Sequence, residues 1–137
     1  MLAGLLALAG CDSEPVRVTT MSPYVRLAAV PGRPAAGYFE YDIDNDPGAL
    51  VAVTSPQAGR IEMHETMTAG NTASMHPIRQ IAVRNGDRLV FSPGGRHLMI
   101  YDIAPGLGPG DDFALVLHFQ RGPPLTLRPS VRAAGED

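Results

Sequence analysis

Apolar and polar residues alternate along this chain in short bursts, and most bursts end at glycine, proline, asparagine or aspartate. Ala36-Gly37-Tyr38-Phe39-Glu40-Tyr41-Asp42-Ile43 alternates aromatic with polar positions and stops at Asp44-Asn45-Asp46-Pro47-Gly48, the sharpest strand-and-turn signal in the sequence. Ala49-Leu50-Val51-Ala52-Val53-Thr54 follows as an apolar run of buried-strand length, closed by Ser55-Pro56. Residues 60–66 alternate again, which puts Ile61 and Met63 on a core face and Glu62, His64 and Thr66 on the outer one. Residues 68–72 read as a turn and 73–78 as a strand returning from it until Pro77 limits it, so the two strands predict a hairpin. Residues 16–20, 87–91, 93–103, 113–119 and 125–129 supply further strands, whereas 24–30 is weakly periodic and ends at the loop Pro31-Gly32-Arg33-Pro34.

No window keeps apolar residues at i, i+3 and i+4 over the roughly 10 to 12 residues that a helix requires. Roughly eight or nine short strands joined by Gly, Pro and Asn/Asp turns predict an all-β chain, an antiparallel sandwich or barrel with Greek-key connections. There is no internal repeat, and a single domain is expected over residues 16–132, with 133–137 as a tail.

Composition narrows the partners. With 137 residues, 45% hydrophobic and 18% charged, the chain is long enough for one compact core. Its 15 glycines and 13 prolines are spread between apolar runs, which fits many turns and no collagen-like repeat. A formal net charge of -3 gives no basic footprint for nucleic acid and no polybasic block for an anionic membrane surface. A monomer is expected.

A single cysteine rules out an internal disulfide, a four-cysteine zinc site and a CxxC redox pair. That residue, Cys11, closes the apolar run Leu2-Ala3-Gly4-Leu5-Leu6-Ala7-Leu8-Ala9-Gly10, which is too short to span a bilayer. Leu8-Ala9-Gly10-Cys11 resembles the lipobox of bacterial lipoproteins, although no Lys or Arg precedes the run as an export signal ordinarily has. The expected layout is a signal peptide over 1–10, a lipidated Cys11, a linker over 11–15 and an extracytoplasmic, periplasmic product whose membrane contact is the lipid.

The candidate chemistry lies in two histidines and two methionines. His97 and Met99 stand two apart on an expected strand and project to one face, opposite Leu98 and Ile100. With His64 and Met75 upstream, the spacing is His, ten residues, Met, twenty-one residues, His, one residue, Met. Thioether sulfur is a soft neutral donor that favours Cu(I), and imidazole suits copper, whereas zinc, calcium and magnesium call for thiolate, carboxylate or more oxygen. Only the imidazoles of such a set compete with protons, so metal binding should weaken as pH falls toward about 6. Glu62 and Glu65 flank His64 as candidates for outer charge or for fixing its tautomer.

These residues, with Met63-His64-Glu65 and with Pro93-Gly94-Gly95 ahead of His97-Leu98-Met99, resemble the PCuAC family of periplasmic copper chaperones. The resemblance extends to the strand order of nearly the whole mature chain. It implies a cupredoxin-like β-sandwich with His64, Met75, His97 and Met99 as Cu(I) ligands. It also implies delivery of copper to an accepting protein, such as a cytochrome oxidase subunit or another copper carrier. No nucleophile elbow is present, and no thiolate outside the signal region is available for blue-copper electron transfer, so no enzyme activity is expected. Two rival readings are a zinc-dependent hydrolase using Glu62 or Glu65 as base, and a metal-free sandwich for adhesion or assembly. Met63 is expected in the core, Met67 in the exposed turn, Tyr101 on the face of His97 and Met99 either walling the site or packing at the sheet edge, and His76 and His118 away from the site.

Overall fold

The computed structural model describes residues 21–136, so the expected strand at 16–20, the signal-like run and Cys11 lie outside the described residues. Among the described residues ten strands occur in order: β1 (Tyr24–Arg26), β2 (Ala35–Asp42), β3 (Leu50–Thr54), β4 (Ala58–Ala69), β5 (Thr72–Ile78), β6 (Arg88–Phe91), β7 (Arg96–Ile103), β8 (Leu115–Phe119), β9 (Leu125–Leu127) and β10 (Ser130–Arg132). The larger sheet runs β10-β1-β2-β7-β4-β5, and the smaller one β3-β8-β9. β6 pairs with β2 at Phe39 to Asp42, beyond the β7 pairing at Ala35 to Gly37.

The two sheets meet over a core that the alternation anticipates. Val25, Phe39, Phe91, Leu98 and Ile100 of the larger sheet are buried with Leu50, Val53, Leu115 and Leu117 of the smaller one. Phe39 and Phe91 stack with ring centroids 4.7 Å apart, fixing the β2 and β6 register. Leu98 and Ile100 are fully buried, so the core anchors the β7 face opposite His97 and Met99.

Two sequence expectations change. The strand expected over 125–129 shortens to β9, and a further strand not expected from the sequence, β10, follows Pro129 and pairs parallel with β1. Pro129 separates the two strands, since a proline has no N–H to continue an antiparallel ladder. The weakly periodic stretch 24–30 keeps only three residues of strand before its loop.

The hairpin β4–β5 carries His64 and Met75 and sets their distance from β7. Its two-residue loop, Gly70-Asn71, has a left-handed φ of 63° at Gly70, the geometry of a type II′ turn that matches strand twist. β4 pairs with β7 from Ala58 to Glu65 and with β5 from Met63 to Ala69. The distal ends of β4 and β5 therefore extend past β7 as a two-stranded ribbon with Met67 and Met75 exposed.

Candidate metal centre

Register decides which side chains share a face. β4 and β7 pair His64 with His97 and Glu62 with Met99, while β4 and β5 pair Thr66 with Met75. Directly opposed residues point the same way, and positions two apart on a strand do too. His64, Met75, His97 and Met99 thus stand on one face of three adjacent strands, β7-β4-β5. The imidazoles of His64 and His97 have centroids 5.9 Å apart, tilted by 42°.

His97 is the buried polar side chain of the described residues, 7% exposed. Its orientation comes from the turn before it. Gly95 N–H donates to the Ser92 carbonyl at 3.0 Å, Pro93 takes the second turn position, and Gly94 takes the third with φ 84°. That is a type II turn, which needs positive φ at its third residue. It aims the Gly95 carbonyl at β7, where His97 Nδ1–H donates to it at 3.1 Å and Thr66 N–H at 3.2 Å. A carbonyl only accepts, so the neutral ring carries its proton on Nδ1 and keeps a lone pair on Nε2. That nitrogen lies 3.2 Å from Met75 Sδ. Both atoms present lone pairs, and neither has a strong donor to satisfy it.

His64 is held by its other nitrogen. Nε2–H donates to Glu62 Oε2 at 2.9 Å, and Nδ1 is buried with no hydrogen-bond partner. The second Glu62 oxygen, Oε1, lies 3.2 Å from Arg60 Nε, and the Arg60 guanidinium covers the Tyr101 ring at 4.3 Å from its centroid. The hydrogen bond from His64, helped by the nearby Arg60 charge, holds the Glu62 carboxyl below its ordinary range. Leaving a buried acceptor unmatched costs about 1–3 kcal/mol, so the unpartnered His64 Nδ1 marks a place where the fold forgoes stability. Such a place is where a soft cation fits.

The remaining candidates sort by face. Met99 lies two residues from His97 and opposite Glu62, about 7 Å along the strand. Glu65 pairs with Arg96 and His76, on the reverse face, so only Glu62 reaches His64. Met67 is 54% exposed on that reverse face, opposite Ser74. His76 bonds Ser74 Oγ, and His118 bonds Thr54 Oγ1 in the smaller sheet, so neither joins the centre. Met63 is buried in the core. Among the described residues no three His, Cys, Asp or Glu side chains are placed to hold a metal, and the soft donors on the His64 and His97 face are the sulfurs of Met75 and Met99. Sequence reasoning missed the Gly95 carbonyl, which leaves no side-chain trace, and the Arg60–Tyr101 stack, whose only signal is that the two fall opposite each other once the register is known.

The family model described as "Putative lipoprotein LpqE-like" matches residues 18–131. The chain belongs to the LpqE-like family. "Uncharacterized protein RP573" of Rickettsia prowazekii (strain Madrid E) is 34% identical over 71 residues, covering 51% of this LpqE-like chain and 39% of that protein. "Putative lipoprotein Lxx21020" of Leifsonia xyli subsp. xyli is 28% identical over 74 residues, covering 53% of this chain and 45% of that protein. The chain therefore matches less than half the length of these curated relatives. Among solved structures, the "Copper-bound PCuAC domain from PmoF2" superposes with a TM-score of 0.63 at 21% identity, over 81% of this chain and 88% of that one. The "apo PmoF2 PCuAC domain" gives 0.65 at 20% identity, over 83% and 88%. The LpqE-like chain thus has the fold of PCuAC domains, a cupredoxin-like β-sandwich, as the sequence resemblance implies.

Proposed function

We propose that this LpqE-like protein is an exported Cu(I) carrier that holds one ion through His64, Met75, His97 and Met99 and passes it to a copper-accepting protein. The observation that carries the reading is the 3.2 Å approach of two lone-pair atoms, His97 Nε2 and Met75 Sδ, beside the unmatched Nδ1 of His64. Two imidazoles and two thioethers form a neutral, soft set that stabilises Cu(I) and gives a harder Zn(II) no thiolate or carboxylate. The solved copper-bound domain of the same fold supports this choice of metal.

The exposure of Met75 supports transfer. Met75 is 57% exposed on a projecting ribbon, while His97 is buried behind it, so an incoming ligand meets the sulfur side first. Thioethers bind without losing a proton, and stepwise replacement of Met75 by a partner's donor keeps the ion coordinated throughout. Membership of a family described as lipoproteins supports a lipid anchor at Cys11 and a periplasmic or other extracytoplasmic location. No helix among the described residues is long and apolar enough to cross a membrane. A cytochrome oxidase subunit or another copper carrier is the recipient that the resemblance suggests.

Titration with Cu(I) against a chromophoric chelator tests the site. Wild type should compete for one equivalent, and the Met75→Leu plus Met99→Leu variant should lose most of that affinity with its fold intact. Equal Cu(I) retention by the two proteins would remove the proposed site. Tight Zn(II) binding that survives both substitutions would favour the hydrolase reading instead.

A further inference from the structure

The copper reading leaves open which nitrogen of each histidine meets the metal, and the inference drawn from the hydrogen bonds rests on that reading. The two rings face each other across β4 and β7, yet their hydrogen bonds use opposite atoms. His97 spends Nδ1–H on the Gly95 carbonyl, and His64 spends Nε2–H on the Glu62 carboxylate. A carboxylate accepts only, so the proton of a neutral His64 ring belongs on Nε2.

Glu62 is itself held. Its Oε1 lies 3.2 Å from Arg60 Nε, and Arg60 stacks at 4.3 Å over Tyr101, the residue directly opposite it on β7. Both carboxylate oxygens are thereby engaged, one by Arg60 and one by His64, which leaves Glu62 as an acceptor rather than a metal ligand. Tyr101, Arg60, Glu62 and His64 form one continuous line along the outer face of β4 and β7.

We infer that Glu62, braced by Arg60 and Tyr101, is a positioning residue that keeps the His64 proton on Nε2, so that His64 offers Nδ1 and His97 offers Nε2 to Cu(I). The arrangement parallels the carboxylate–histidine pairs that orient ligands at other metal centres. Its consequence is specific: the two imidazoles coordinate through different nitrogens, one fixed by a side chain and the other by the backbone.

Nitrogen-15 NMR reads this directly, because Cu(I) is diamagnetic. In copper-free protein near pH 8, His64 should show the Nε2–H tautomer and His97 the Nδ1–H tautomer. On adding Cu(I), the His64 Nδ1 and His97 Nε2 signals should move while the protonated nitrogens stay nearly still. Glu62→Ala should mix the His64 tautomers, leave those of His97 unchanged and weaken Cu(I) binding about tenfold. Glu62→Asp, which keeps a carboxylate, should restore part of both. An Nδ1–H tautomer at His64 in wild type, or wild-type tautomer and affinity in Glu62→Ala, would overturn the inference. Correct tautomers in a protein that holds no Cu(I) would instead overturn the copper reading and, with it, the ligand assignment to Nδ1.

Discussion

His97 and Met75 touch although their strands are not neighbours. β4 lies between β7 and β5, so the backbones are about 9–10 Å apart, yet Nε2 and Sδ approach to 3.2 Å. An unbranched thioether with three rotatable bonds can cross that gap where a β-branched side chain would not reach. The residue it crosses is Thr66, paired with Met75 on one side and bonded through its N–H to the Gly95 carbonyl on the other.

Thr66 is therefore the floor of the approach. Thr66→Phe should wedge Met75 away from His97 and reduce Cu(I) affinity by on the order of tenfold, about 1.4 kcal/mol. The ribbon beyond Glu65 has no third strand, so the change should leave the denaturation midpoint close to wild type. Chelator competition and urea unfolding on the same preparation check both halves.

The two faces of the larger sheet separate stability from the proposed metal binding. Leu98 is fully buried between the sheets, and Leu98→Ala should cost about 2–5 kcal/mol in unfolding free energy. Met75 is largely exposed, and Met75→Leu should change stability by no more than about 0.5 kcal/mol while weakening Cu(I) binding. Equilibrium denaturation of the copper-free proteins, followed by copper titration of each, distinguishes the two effects.

Alkaline pH tests a group outside the proposed ligand set. Burial raises the Tyr38 hydroxyl above its ordinary range, and nearby Tyr24 adds to the rise while Arg26 opposes it. A raised folded-state value means that the native chain retains the proton longer than the unfolded one. The stability contributed is complete below the unfolded value near 10 and is lost as pH climbs through the folded value. Wild type should lose stability above about pH 10, and Tyr38→Phe should show a shallower decline in denaturant midpoints over the same range.

Much of the arrangement was legible in the chain. Alternation at 60–66 and 96–103 gave the faces correctly, placing Met63, Leu98 and Ile100 inward and His64, His97 and Met99 together. What alternation does not contain is pairing. The parallel β1–β10 contact joins residues more than a hundred positions apart, and no local pattern signals it. The burial of His97 was equally hidden, since a histidine on the outer face reads as solvated until a ribbon rises beside it. Alternation sets Glu62, and not Glu65, on the His64 face, but only the structure shows that Glu62 reaches the ring, at 2.9 Å.

The turn before His97 offers the sharpest test of how backbone geometry sets the centre. Gly94 has φ 84°, and a methyl group added there would meet no neighbouring atom, so the penalty of Gly94→Ala is purely conformational. Left-handed backbone costs an L-residue roughly 1–2 kcal/mol, and this turn can relieve that strain by reorienting the Gly94–Gly95 backbone. The Gly95 carbonyl then turns away from His97 Nδ1 and Thr66 N–H, the two donors it now joins. We expect Gly94→Ala to lower unfolding free energy by about 1–2 kcal/mol and to weaken Cu(I) binding beyond what that small loss explains. Gly94→Asn, a residue that tolerates left-handed φ, should recover most of both. If Gly94→Ala binds Cu(I) as wild type does, the turn stabilises the fold without orienting His97.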